Sequence, residues 1–281
     1  MSDVSDTARW VAFYRAMESE RPDALFRDPF ARRLAGPRGE AIVNALPKGR
    51  ANAWPMIVRT AVMDEIILRV VKDGVDTVVN LAAGLDARPY RLPLPPTLRW
   101  IDVDLPGTIE AKLAVLGSER PACTYETVRL DLANVPVRRA FFQRIDQSAR
   151  RVLVITEGLL VYLTADTVSE LARDLHATRS VQCWLTDLAS PGLLRMLAKS
   201  WGPALSEANA PFRFGPAEGP HFFGPLGWRT AEYRSTFEEG IRLDRTFPFA
   251  RCLRWLSRFY PNKKQEEFRY FSGIVLLERR A

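Results

Sequence analysis

The stretch Val78-Val79-Asn80-Leu81-Ala82-Ala83-Gly84-Leu85-Asp86-Ala87-Arg88 decides the fold. A short apolar run ends in a turn of small residues that holds a single glycine. About twenty residues on, Arg99-Trp100-Ile101-Asp102-Val103-Asp104 forms a second run that ends in a carboxylate. This is the layout of a βαβ nucleoside site: a close-approach turn after one strand, and an acid at the tip of the next. The turn does not suit a dinucleotide. Bringing backbone onto a pyrophosphate takes a glycine-rich G-x-G-x-x-G loop, and here Gly84 is followed by Leu85, Arg88 and Pro89. A nucleoside ligand without phosphates fits better.

Outward from this stretch the chain alternates strand and helix signals. Strands are expected at Thr77 to Leu81, Arg99 to Val103, Tyr125 to Leu130, Arg151 to Thr156 and Val181 to Leu188. Helices are expected at Pro106 to Leu116, with Asp104 as a candidate cap, and at Thr164 to Arg179, capped by Thr164. Short strands alternating with helices argue for a parallel, doubly wound sheet. Residues 1 to 60 read as helical, with Asp6-Thr7 as a cap, and Asp28-Pro29 opens a further turn. Arg59 to Val71 is the clearest helix, its Val62, Ile66, Ile67 and Val70 on one stripe and Asp73-Gly74 at its end. Residues 190 to 227, rich in Pro, Gly and Phe, read as a lid or substrate-facing insertion. A helix from Thr230 to Glu239 and two late strands, Ile241 to Thr246 and Phe268 to Glu278, are expected to close the sheet. The expectation is one α/β domain over residues 1–281. Its parts are a helical cap (1–74), a nucleoside-binding core (75–189), the lid (190–227) and the last part of the sheet (228–281).

The bulk numbers fit such a domain. Of 281 residues, 47% are hydrophobic and 26% charged, ordinary for a globular chain. No run of about 18 apolar residues occurs, so no membrane span and no membrane partner are expected. Met1-Ser2-Asp3-Val4-Ser5-Asp6 is polar and acidic, unlike a signal peptide. Cys123, Cys183 and Cys252 are far apart, which gives no disulfide framework and no metal site. A reducing cytoplasm follows as the expectation. The net charge is +7, and only six of the 40 basic residues are lysine. That excess reads as a solvated face or as attraction for an anionic substrate. Its scattered pairs, Arg32-Arg33 and Arg138-Arg139, do not suggest a nucleic-acid partner.

The chemistry falls at strand ends. Gly84 with Asp86, Asp104, Asp131 and Glu157 stand where a parallel sheet places its ligands. Any one acid there can be a helix cap; together they converge on one crevice. Asp104 is placed for two ribose hydroxyls, each able to donate to a carboxylate. Asp131 can accept from an adenine amine while the Leu132 amide donates to a ring nitrogen. S-adenosylmethionine answers this description. Arg59 is a candidate for its methionyl carboxylate, because a guanidinium can bind a carboxylate through two parallel bonds. Read from the residues alone, Arg59 is better taken as a surface arginine at the start of a helix.

Three segments carry a family resemblance: Asn80-Leu-Ala-Ala-Gly-Leu-Asp-Ala-Arg-Pro-Tyr-Arg-Leu92, Ile101-Asp-Val-Asp-Leu-Pro106 and Thr156-Glu-Gly-Leu-Leu-Val-Tyr-Leu-Thr164. With Glu20 to Phe30 and Gly215 to Trp228, they resemble the leucine carboxyl methyltransferase family. The likeness extends to its bacterial branch of polyketide carboxyl O-methyltransferases of the tetracenomycin-pathway type. The resemblance spans nearly the whole chain. It implies the class I methyltransferase fold, a mostly parallel seven-stranded sheet with extra N-terminal helices and an insertion after the fifth strand. It also implies that Arg59 holds the cofactor carboxylate and Gly84 lines the methionyl end. Asp104 would bind ribose, Asp131 and Leu132 adenine, and Glu157 would face the cofactor near the methyl group, with Tyr162 toward the substrate. Some members place a lysine ahead of the Asp-Pro pair; this chain has Asp23 there, with Arg21 nearby.

The expected reaction is methyl transfer to oxygen, with a small-molecule acid as partner. A carboxylate acceptor is already ionised at neutral pH, whereas a phenol benefits from a base. The chain has two histidines. His176 falls inside a predicted helix and reads as structural. His221, in Gly-Pro-His-Phe-Phe, is the candidate base or substrate contact. Phe212, Phe214, Phe222, Phe223 and Trp228 read either as a wall for a flat acceptor or as a satellite core. The alternatives are a phenol methyltransferase with His221 as base, a nicotinamide-dependent oxidoreductase, and a non-catalytic cofactor-binding protein.

Overall fold

Five parallel strands occur where the apolar runs predict them: β1 (Thr77–Leu81), β2 (Arg99–Asp104), β3 (Thr124–Arg129), β4 (Val152–Thr156) and β5 (Val181–Ala189). The structure, a computed structural model, describes residues 4–207 and 212–280. Every residue of β1 and β4 is buried, as expected of central strands covered on both faces. Two further strands, β6 (Trp228–Ser235) and β7 (Ser272–Arg279), complete a sheet of order β3-β2-β1-β4-β5-β7-β6. β7 runs antiparallel between β5 and β6. The order reverses at β1 and β4, so their carboxyl ends flank the crevice where a parallel sheet takes its ligand.

Helices cover both faces. α1 (Val4–Ser19), α2 (Ala31–Ala45) and α3 (Trp54–Lys72) precede the sheet. α4 (Arg88–Arg91), α5 (Pro106–Leu116), α6 (Val135–Ser148) and α7 (Ala165–Ala177) connect its strands. α8 (Pro191–Glu207) follows β5, α9 (Thr236–Arg242) follows β6, and α10 (Ala250–Ser257) and α11 (Asn262–Arg269) lead into β7. Val58, Val62 and Ile66 of α3 pack with Val78, Trp100 and Leu153 in one layer. Phe141, Phe142, Leu171 and Leu175 of α6 and α7 pack with Val79, Ile101 and Trp184 in the other. A third cluster joins Trp10, Phe13, Leu34 and Ile42 of the first two helices to Leu85 and Ala87. The bulky residues after Gly84 therefore seat the helical cap on the β1 turn.

Several sequence expectations are corrected. Trp228 to Ser235 is an edge strand, not the start of a helix. A register shift between Thr230 and Glu232 breaks its alternation, which hides a strand from a period-2 reading. Ile241 to Thr246 is not a strand; it is the end of α9 and the turn that follows. The stretch read as a lid, 190–227, contains α8 and a 3-10 helix at Gly219–Leu226. Phe223 and Trp228 are buried against Trp184, and Phe214 is buried against Phe223, so these three aromatics form core rather than an acceptor wall. Asp6 lies in the first turn of α1 rather than capping it. Leu105, not Asp104, is the N-cap of α5. α6 was not expected; Asn134 caps it by accepting from the Val137 amide. Thr164 caps α7 as predicted, accepting from the Thr167 amide at 3.2 Å.

Candidate active site

The turn after β1 carries its strain where the sequence places the ligand. Ala82 and Gly84 both adopt left-handed backbone, with φ of 53° and 52°. Glycine takes that conformation freely and alanine does not. Such strain persists where the surroundings hold it, and it gathers at ligand clamps. One of those restraints is visible: the Gly84 amide donates to Asp104 Oδ2 at 2.7 Å, and Asp104 Oδ1 accepts from the Leu105 amide at 2.7 Å. The tips of β1 and β2 are thus tied together through the predicted ribose carboxylate. Burial raises the Asp104 carboxyl above its ordinary value, against the two amides that lower it.

Asp102, two residues earlier, has a different part. It is fully buried and accepts from Lys112, Tyr125 and Trp100 Nε1. It locks β2 to β3 and α5 and is closed to a ligand.

The second half of the crevice is an ionic lattice. Arg59, on α3, reaches across to the tips of β4 and β5. Its Nε donates to Glu157 Oε1 at 2.9 Å and its Nη1 to Asp187 Oδ2 at 3.0 Å. Among the described residues its Nη2 makes no hydrogen bond. Gly158, with φ of 65°, lets the chain pass this guanidinium; a Cβ there would meet Arg59 Nη1 at 3.4 Å. Its amide donates to Asp187 Oδ1 at 2.6 Å. Glu157 Oε2 accepts from Arg88 Nη1 at 2.6 Å, and the same nitrogen donates to Asp86 Oδ2 at 2.8 Å. Arg88 Nε and both terminal nitrogens of Arg91 bind Asp64. Burial would raise the carboxyls of Glu157 and Asp86; the neighbouring arginines outweigh it and hold both below the usual range.

The predicted residues divide clearly. Arg59, Gly84, Asp104 and Glu157 line one crevice at the tips of β1, β2, β4 and β5. Tyr162 follows Glu157 by one turn, within the electrostatic reach of Arg59 and Asp187, and its ring meets Phe212 with centroids 5.5 Å apart. Burial pushes its phenol above the usual value. Asp131 stands exposed beyond β3 and accepts from the Ala133 amide at 2.9 Å. Leu132 is half-buried, its carbonyl held by Arg138 Nη1 at 2.8 Å. His221 stands apart: it is exposed, its ring is edge-on to Tyr270, and no hydrogen bond joins it to the crevice among the described residues. His176 packs edge-on against Trp228, in keeping with a structural role.

Three participants escaped the sequence reading. Asp187 is the one acid of β5, and its place near the end of that strand is the available signal. Arg88 was read as bulk crowding the turn, yet it is a buried anchor. Arg15 of α1 donates to Asp28 Oδ2 at 2.8 Å and to the Leu85 carbonyl at 2.6 Å. It, and not Arg21, is the cation that the N-terminal helices send to the crevice. Arg21 is half exposed and pairs with Asp23 and Glu18. An open cleft of about 690 Å³ between β6, α9, α10 and α11 contains none of these residues.

A doubly wound sheet ending in an antiparallel β7, with a one-glycine turn and an acid at the next strand tip, defines the class I methyltransferase architecture. Two solved structures share it over the full chain. A DUF574-family protein from Streptomyces avermitilis superposes with a TM-score of 0.60 at 12% identity, covering 97% of each chain. A candidate methyltransferase from Thermobifida fusca gives 0.59 at 14% identity, covering 100% of this chain and 96% of that one.

The sequence profile of the leucine carboxyl methyltransferase family matches residues 8–176, and the chain belongs to that family. A relative from Parafrankia, named as a candidate S-adenosyl-L-methionine-dependent methyltransferase, is 34% identical over 259 residues, 83% of this chain and 79% of that protein. A relative of the same description from Streptomyces coelicolor is 38% identical over 183 residues, where the match spans 60% of this chain and 63% of that protein. S-adenosylmethionine is accordingly the cofactor of this protein.

Proposed function

We propose that this chain is an S-adenosylmethionine-dependent O-methyltransferase that esterifies a carboxylate of a small molecule, such as a polyketide or other secondary metabolite. The observation that supports binding of the sulfonium cofactor is the charge around Arg59. Arg59 and Arg88 face three carboxylates, Glu157, Asp187 and Asp86, which leaves an excess of negative charge suited to a cation. The chemistry of the residues fits the cofactor. Asp104 would hold the ribose, the strained turn at Gly84 would admit the methionyl end, and Asp131 and Leu132 would meet the adenine. Arg59 has Nη2 left for a carboxylate, so a two-point clamp there requires Glu157 or Asp187 to give way. When bound, the cofactor supplies an electrophilic methyl group on a sulfonium.

The protein's part is positioning and electrostatics. Its lattice of buried arginines keeps Glu157 ionised, and Arg59 with the Gly158 amide holds Asp187 in place. Tyr162, its phenol raised by burial, keeps its proton at neutral pH and acts as a hydrogen-bond donor to an anionic acceptor rather than as a base. With His221 exposed and away from the crevice, an acceptor that is already ionised suits the site better than a phenol. The three free cysteines, two of them buried, accord with a reducing compartment, and we place the protein in the cytoplasm.

Calorimetric titration with S-adenosylmethionine and its demethylated product tests the cofactor site. Asp104→Ala should weaken binding tenfold or more, since hydrogen bonds to a charged group are each worth about 1.5–3 kcal/mol; unchanged binding would remove Asp104 from the site. Incubation with a set of aromatic acids and phenols tests the acceptor. Alkali-labile methyl esters are expected. Alkali-stable ethers would restore the phenol reading, and a response to NADH but not to S-adenosylmethionine would overturn the class.

A further inference from the structure

Among the described residues, nine large hydrophobic side chains are exposed, and six of them fall between residues 247 and 260: Phe247, Phe249, Trp255, Leu256, Phe259 and Tyr260. Phe249 is 85% exposed and Phe259 71%. The patch is organised by α10. Cys252, Trp255, Leu256 and Phe259 follow an i, i+3, i+4, i+7 spacing, which puts them on one side of the helix and the turn that extends it. That side faces out, and all four residues are exposed. Ala250, Leu253 and Ser257 face in. The helix is amphipathic in the reverse sense for a surface helix, which ordinarily turns its apolar side to the core. The Trp255 and Phe259 rings meet edge-on, 5.1 Å apart.

Cations run along one border of this face. Arg251, Arg254 and Arg258 are spaced by one helical turn and all are exposed. Arg254 pairs with Glu238 and Arg251 with Asp244, while no ion pair engages Arg258 among the described residues. From Arg245 to Lys264 the sequence has six basic residues and no Asp or Glu.

We propose that this face docks on an anionic lipid bilayer, with Phe249, Trp255, Leu256 and Phe259 in the interfacial layer and the arginines on headgroup phosphates. Trp, Phe and Leu beside a row of arginines is the composition of helices that lie in a membrane interface. Each cation near an anionic surface adds attraction that falls with salt. A second copy of the chain is a poorer occupant, because a twofold contact would bring Arg258, which has no ion pair among the described residues, and the arginines beside it against their own counterparts. The absence of a spanning run gave the expectation of no membrane partner. A spanning run is needed to cross a bilayer, not to rest on one; no helix among the described residues is long and apolar enough to cross.

Co-sedimentation of the full chain with vesicles tests the proposal. One set is phosphatidylcholine alone and the other phosphatidylcholine and phosphatidylglycerol in equal parts. Binding to the anionic vesicles is expected at low ionic strength, at least tenfold above the neutral ones, and should fall as salt rises. Trp255→Ser with Phe259→Ser should reduce it tenfold or more, with circular dichroism unchanged because both side chains are exposed. Arg258→Glu should weaken binding to the anionic vesicles only. No binding to anionic vesicles, or equal binding by the double variant, would overturn the proposal. So would a lipid-free dimer in sedimentation velocity that the double variant abolishes, which would assign the face to self-association.

Discussion

Arg59 held between Glu157 and Asp187 sets how acid takes the crevice apart. Glu157 titrates below its ordinary 4.5 in the folded chain, and Asp86 below 3.8. Their contribution to stability is fully present above those unfolded values and is lost as pH falls through the lowered folded ones. Asp104 has the opposite sign. Its carboxyl is raised by burial, so folding disfavours its charge, and it takes up a proton before the other two. Cofactor affinity is therefore expected to decline on acidification while the fold still stands. Calorimetric affinity and thermal midpoint, followed from about pH 7 to pH 4, should separate in that order; a joint loss would argue against Asp104 as the ribose acceptor. The residue scale is also where the sequence was read least well. Asp104 and Asp102 look alike in Ile-Asp-Val-Asp, yet Lys112 and Tyr125 fill one of them and leave the other at the rim. Only the packing of α5 and β3 distinguishes them.

At the scale of elements, α1 is more than a cover. Through Arg15 it binds the Leu85 carbonyl, and Asp28 carries the same arginine into the buried lattice. Both side chains are almost wholly enclosed. Removing one charge of such a pair leaves the other buried without compensation, at a cost of about 3–5 kcal/mol. Arg15→Met should lower the denaturation midpoint accordingly and weaken cofactor binding. Arg15→Met with Asp28→Leu should recover much of the stability without the binding, because the carbonyl of the β1 turn stays unsupported. Urea titration and calorimetry on both variants check this. Elements were legible where one face repeats, as in α3, α7 and the buried strands. They were not legible where a bulge shifts the period, as in β6, or where charged residues dilute the stripe, as in α6.

Across the whole molecule, the nucleoside half of the sheet could be read because each strand tip carries its own polar signal. The placement of β7 between β5 and β6 could not, since pairing of residues 183–189 with 272–278 leaves no local mark. The same holds for the lattice that gathers Arg15, Arg59, Arg88 and Asp187 from distant parts of the chain. One contrast set by the fold has a chemical consequence. Cys123 and Cys183 are buried and their thiols are pushed up to about 11, whereas Cys252 lies on the outer side of α10. Thiolate is the reactive form, so a maleimide at neutral pH should modify the folded protein once, at Cys252, and three times after denaturation, as intact mass will show. The molecule thus has a single natural attachment point, and a polarity-sensitive dye placed there would report directly on whatever the aromatic face meets.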